Sequence, residues 1–341
     1  MMRWLHAYLS SRRGKFFLAL AMLITLVELA LRFAHFRFEP DREFGYPRAA
    51  DFGFLQYDPD LFWKINPNQE GINSWGFPGR EINPVKPEGV YRMVFLGDSI
   101  LYAGYPFLVE QCLHDAEVQV EVIPLAVPGY SSYQGHLLAE KFGALLKPDL
   151  VVVQFGWNDH WLAYGEPDAQ KTFSPPRSWS VPFHVYLYDR VRILQGLGWV
   201  GALVFGKGKS VTEEVRVPPA QYQENLRAIQ ATFEKDQTPV VFVTAPSAHP
   251  KLGVPEEIVQ NGFAVGSASV LQLHQVYNQI VREIAGEDWV FDLQAEFDTL
   301  SEGDLKEMFQ PDGIHPTEMG TAEIASGFCR FIRPFLPTSI E

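Results

Sequence analysis

Two short stretches, "LVVVQF" (Leu150 to Phe155) and "PVVFVT" (Pro239 to Thr244), are apolar almost without a break. A strand with one face in water alternates apolar and polar residues, whereas an unbroken run suits a parallel strand covered on both faces. Similar runs lie at Tyr91 to Leu96, Val118 to Leu125 and Trp289 to Leu293. Helical patterns fall between and after them, over 130–147, 218–236, 269–286 and 316–335. Ser131 or Ser132 can cap the first of these, Pro219 suits a first turn, and Gly286 suits a C-cap. Strands alternating with helices argue for a parallel sheet with helices on both faces. In such a sheet all C-terminal strand ends share one edge, and sites are built there.

The first run ends in "VFLGDSILYAG", Val94 to Gly104. Asp98 or Ser99 can simply cap the next helix. Alternatively, Ser99 is a nucleophile at the shared edge. Three other blocks bear on the choice: "AVPGYSS" with Gly129, "GWNDH" with Asn158, and "FQPDGIHP" with Asp312 and His315. Alone, each reads as a turn or a cap. Together they supply one chemistry. A serine hydroxyl is a weak nucleophile without a base. His315 has the right basicity for that task, and Asp312, three residues earlier, can hold the imidazole in the correct tautomer. The N–H groups of Ser99 and Gly129 and the amide of Asn158 would form the oxyanion hole, and a glycine at 129 allows close backbone approach. His136, His160 and His249 have no such set around them and read as core or surface residues, with His160 expected to line the pocket.

These blocks, GDS at 97–99, Gly129, GWND at 156–159 and DGIH at 312–315, resemble those of the SGNH (GDSL-type) hydrolases. The resemblance covers roughly Tyr91 to Phe335. It implies a flavodoxin-like three-layer sandwich with a five-stranded parallel sheet. It also implies a Ser-His-Asp esterase mechanism with no metal and no cofactor. The sequence reads GDSI where the family name has GDSL, which leaves the catalytic groups untouched. An insertion at 160–217 follows the third block. It is read as a cap over the site, a surface that touches the membrane, or an extra helix on the sheet flank. The segment "GINSWGFPGRE" ahead of the first strand looks like that of membrane-tethered bacterial members, and some relatives acetylate or deacetylate exported polysaccharides.

Arg3, Arg12, Arg13 and Lys15 precede the apolar run "FFLALAMLITLVELAL" (Phe16 to Leu31), whose one charge is Glu28. With the residues up to 36 it approaches the ~20 needed to cross a bilayer. Basic residues in front keep that end inside and send the rest out. An uncleaved anchor is preferred over a signal peptide because no A-x-A-like site follows. Arg32 is placed to pair with Glu28. The expected organisation is a tail and membrane anchor at 1–37, an extracytoplasmic lead-in of turns and short extended pieces at 38–90, and the hydrolase at 91–341. The formal net charge is −13, and −18 beyond residue 37, which argues against a nucleic-acid partner. The two cysteines, Cys112 and Cys329, form no zinc or redox spacing. In a flavodoxin-like order they fall on helices of one face. Two separate buried thiols are favoured over a bridge.

The leading functional expectation is a serine esterase removing a small acyl group, such as acetyl, from an extracytoplasmic glycan or lipid. An O-acyltransferase using the same serine is the runner-up. A non-catalytic glycan-binding module is the third reading, and it has no need for all five site residues.

Overall fold

The computed structural model describes residues 11–34, 54–58, 60–163, 166–170, 191–205 and 214–336. Arg3, the stretch from 35 to 53, and most of the 160–217 insertion lie outside the described residues. A short antiparallel hairpin comes first, β1 (Leu55–Asp58) and β2 (Phe62–Ile65). The main sheet follows with β3 (Tyr91–Gly97), β4 (Val120–Ala126), β5 (Leu150–Gln154), β6 (Val240–Val243) and β7 (Val290–Phe291). All five are parallel in the order β4-β3-β5-β6-β7. This is the expected flavodoxin-like order. Each sequence-read strand is present. The second starts at Val120 because Val118 is still closing the preceding helix, its N–H bonded to the Leu113 carbonyl at 3.0 Å.

The helices include α1 (Arg12–Phe33), α2 (Ser99–Tyr102), α3 (Tyr105–Asp115), α4 (Ser132–Leu146), α5 (Arg192–Phe205), α6 (Pro219–Glu234), α7 (Ser267–Ala285) and α8 (Glu318–Ile332); other short helices lie between α6 and α8. Alternation along the strands divides the core into two layers. Met93, Phe95, Leu150, Val152, Val241 and Val243 face α3 and α8. Val94, Leu96, Val151, Val153, Val240 and Phe242 face the layer that includes α4 and α6. Each fully buried Val, Leu or Phe contributes roughly 1.5–3 kcal/mol.

The lead-in segment shares this second core: Leu55, Leu61, Phe62, Trp63, Ile65 and Phe77 are buried in it. Arg92, fully buried on β3, fastens the segment from below. Its guanidinium donates to Glu121 at 2.7 Å, the Leu146 carbonyl at 2.8 Å and the Asn83 carbonyl at 2.9 Å. A buried cation is tolerable only when it is paired and bonded in this way.

α1 is 22 residues long, about 33 Å at 1.5 Å per residue, against a hydrocarbon core of about 30 Å. Its length and apolarity suit a membrane span and a signal sequence alike. Arg32 pairs with Glu28 at 2.7 Å, as the spacing predicts.

α3 and α8 pack together on one face, and there Cys112 and Cys329 are joined in a disulfide with Cα atoms 6.7 Å apart. This corrects the preference for two separate thiols. Packing of α3 against α8 brings together residues 217 positions apart, within bridging distance. Thiol counting on the denatured, unreduced protein should find no free thiol. Reduction, or replacement of both cysteines by alanine, should lower the unfolding free energy by up to about 5 kcal/mol, the chain-entropy ceiling for so long a loop. Two free thiols would exclude the bridge.

Candidate active site

Ser99 opens α2 at the C-terminal end of β3. Asp98 does cap that helix, accepting the Ile100 N–H at 3.0 Å, so the structural reading holds for the aspartate. Ser99 is left facing the last loop of the domain. His315 Nε2 lies 2.9 Å from Ser99 Oγ, and His315 Nδ1 lies 2.6 Å from Asp312 Oδ2. The side chains of His315 and Asp312 keep 37% and 38% of their exposure, so a substrate can reach them.

The loop carrying this pair is held by local hydrogen bonds. Asp312 Oδ1 accepts the N–H groups of Ile314 and His315 at 2.9 and 3.0 Å. Gly313 sits at φ 68°, where a Cβ would come within 2.6 Å of the His249 ring. His249 Nε2 is 2.7 Å from the Asp312 carbonyl, an acceptor, so that nitrogen carries the proton. Burial pushes the Asp312 carboxyl up. The bonds from the His315 side chain and from the two N–H groups outweigh it and bring the group down to about 2. The bond to Asp312 raises His315, against burial, with further help from the charges of Asp312 and Asp98. The pair is thus an ionised carboxylate beside a strengthened base.

Asn158 follows β5 and its amide donates to Asp98 Oδ2 at 3.2 Å, which leaves one amide hydrogen for another acceptor. Burial raises Asp98 to about 6. Gly129 follows β4, the neighbour of β3, at φ 85°, and a Cβ there would meet the Trp63 ring at 3.1 Å. Any side chain would be both strained and crowded. Among the described residues, the N–H groups of Ser99 and Gly129 donate to no acceptor. The edge therefore collects Ser99, Asp312 and His315 in contact, with Asn158 joined to them through Asp98 and Gly129 on the adjoining strand end.

His160 departs from expectation. It is 2% exposed and packs against Trp157, Trp161 and His274. Burial lowers the pKa of His160, His249 and His274, the last to about 4, so all three are neutral core groups.

Other residues support the Gly129 block and were missed by the sequence reading. Arg216, returning from the insertion, donates to the Gly129 carbonyl at 2.8 Å and pairs with buried Asp168 at 2.8 Å. Ser131 donates to the same carboxylate at 2.8 Å. Trp63 donates to the Pro128 carbonyl at 3.1 Å, and Tyr130 donates back to the Trp63 carbonyl. The available signal was a lone cation between valines in "EEVRVPP", directly before a helix. Asp159, beside Asn158, accepts the Ser132 N–H at 2.8 Å and so fastens the start of α4.

A parallel α/β sheet whose edge presents a serine, a histidine and an aspartate in this geometry defines a serine hydrolase. Residues 95–322 match the GDSL-like lipase/acylhydrolase family, and the chain belongs to that family. A search of the curated proteins finds no match. Among solved structures, a lipase/acylhydrolase from Enterococcus faecalis is 20% identical, with 72% of this chain and 97% of that chain covered and a TM-score of 0.43. A catalytic mutant of an acetylxylan esterase from Geobacillus stearothermophilus is 17% identical, covering 73% and 97%, TM-score 0.43. A GDSL-like lipase from Bacteroides thetaiotaomicron is 15% identical, covering 72% and 89%, TM-score 0.44.

Arg216→Ala removes an ion-pair partner of a fully buried carboxylate. Chemical denaturation should show a loss of about 3–5 kcal/mol. A change near zero would mean that the ion pair does not hold the insertion root to the domain.

Proposed function

We propose that the protein is a serine esterase that removes a small acyl group, such as acetyl, from a glycan or lipid outside the cytoplasm. The contact chain from Ser99 Oγ through His315 to Asp312, at 2.9 and 2.6 Å, is the observation that carries this reading. Ser99 Oγ attacks the ester carbonyl carbon as His315 Nε2 takes its proton. The carbonyl π electrons move to oxygen. The N–H groups of Ser99 and Gly129 and the free amide hydrogen of Asn158 meet the charge that develops there. As the intermediate collapses, the bond to the leaving alcohol breaks and His315 returns the proton to that oxygen. Water then repeats the sequence on the acyl-serine, giving the carboxylic acid and free Ser99. Asp312 stays ionised throughout and stabilises the imidazolium.

The site's place outside the cytoplasm is supported by α1 with Arg12, Arg13 and Lys15 at its start. The Cys112–Cys329 bridge suits an oxidising compartment. In this reading residues 1–37 are the cytoplasmic tail and anchor, 38–90 the lead-in, and 91–341 the catalytic domain with its 160–217 insertion.

Ser99→Ala should abolish labelling by a fluorophosphonate, and His315→Ala should cut turnover by several powers of ten with the fold intact. Asn158→Ala should cost about a hundred- to a thousandfold in kcat, ~3–4 kcal/mol, with little change in KM. Equal losses in binding and turnover would assign Asn158 to structure. Across an ester series, acetyl should turn over fastest. A serine variant that keeps wild-type turnover on every ester would end this reading.

The pH profile tests the base. His315 must be neutral to accept a proton, so kcat/KM should rise with pH through an apparent pKa above the ordinary 6.5. Asp312→Asn removes the interaction that raises it. The limb should move to lower pH and kcat should fall about ten-thousandfold. A limb that stays put would separate Asp312 from the titration of His315.

A further inference from the structure

Glu28 is the one charge in the apolar body of α1, five residues before the helix ends at Phe33. A carboxylate in such a setting needs partners. Its Oε1 accepts from Arg32 Nε at 2.7 Å and from the backbone N–H of Arg192 at 3.1 Å, and its Oε2 accepts the N–H of Ile193 at 3.0 Å. The last two are the first N–H groups of α5, which no carbonyl of that helix can satisfy. A negative charge also suits the positive end of a helix. Glu28 therefore caps α5 across more than 160 residues of sequence.

α5 reads "RILQGLGWVGALVF", with no charge after Arg192. Its 14 residues span about 21 Å, too short to cross a core of about 30 Å and in the range of interfacial segments. Leu194, Leu197 and Val200 recur every third residue and stay 36%, 63% and 48% exposed. The cap also fixes the level of the helix. Its amino end meets α1 about 7.5 Å short of the end of that helix. For a spanning α1 of about 33 Å in a core of about 30 Å, this level lies about 6 Å inside the acyl chains of the outer leaflet.

We propose that α5 is a second membrane element, locked to α1 by Glu28 and bedding Leu194, Leu197 and Val200 among lipid acyl chains of the outer leaflet. This rests on the reading of α1 as an anchor. The occupant is lipid because the apolar stripe continues from the already apolar, exposed surface of α1. The insertion containing α5 leaves and re-enters the domain at 159–163 and 214–217, beside Arg216 and the Gly129 carbonyl. The bilayer thus gains a second hold, through the insertion, next to the catalytic edge.

The test uses the full chain in phosphatidylethanolamine/phosphatidylglycerol vesicles, with an environment-sensitive fluorophore on a single introduced cysteine. The disulfide leaves the native cysteines unreactive. The labelled positions are Leu197→Cys and Val200→Cys, with Leu23→Cys in the anchor and Val85→Cys, 74% exposed on the lead-in, as references. Lipids brominated on the acyl chain should quench positions 197 and 200 to within about twofold of position 23, and leave position 85 unquenched. Adding Glu28→Leu should bring position 197 down to the level of position 85 while position 23 stays quenched. Thermal melting by circular dichroism checks that each variant is folded. Quenching at 23 without quenching at 197 overturns the proposal and leaves the anchor standing. No quenching at 23 overturns the anchor itself, and the proposal with it. Quenching at 197 that survives Glu28→Leu overturns the lock between the two helices.

Discussion

A parallel sheet buried on both faces leaves polar side chains one useful place, the ends of its strands. β5 shows the constraint most fully: Leu150, Val151, Val152, Val153 and Gln154 are all buried. With helices packed above and below, hydroxyl, imidazole and amide groups can meet a substrate only where the strands stop. Register then sets their spacing. Gly97 on β3 faces Ala126 on one side and Gln154 on the other, so the loops carrying Ser99, Gly129 and Asn158 start at the same level. The fourth loop needs no strand to aim it. Two backbone N–H groups on Asp312 and the Phe309–Pro316 bridge shape it locally.

This explains which features the sequence made legible. Burial on both faces writes unbroken apolar runs, so the strands and their C-terminal ends could be read directly. Short polar blocks just past those ends marked Ser99 and Asn158, and a fourth block, set off from β7 by two short helices, marked Asp312 and His315. Other features leave no local trace. Whether Cys112 and Cys329 meet depends on the packing of α3 against α8, which spacing does not record. His160 adjoins Asn158 in sequence, yet a tight turn sends its ring into the core beside Trp157 and His274. Arg216 lies 87 residues from Gly129, the glycine whose carbonyl it holds, and only the return path of the insertion brings them together.

The lead-in and the insertion both act on the Gly129 turn. Trp63 bonds the Pro128 carbonyl, Arg216, lying over the Trp63 ring, holds the Gly129 carbonyl, and Asp168 neutralises the arginine. A turn that must hold a glycine at positive φ is intrinsically loose, because glycine loses the most backbone entropy on ordering. The two segments outside the regular α/β alternation supply the rigidity that the strand end lacks. In this physical sense both bear on the candidate site.

Ser99 and His315 are 216 residues apart along the chain. In the proposed mechanism, a polypeptide made from its amino end therefore displays the serine long before the imidazole proposed to activate it exists. A hydroxyl without its base is chemically quiet. In that reading the growing chain carries no activated serine until its last third has been made. In the proposed mechanism the site is complete only when the His315 loop, which precedes α8, lies at the strand edge beside Ser99.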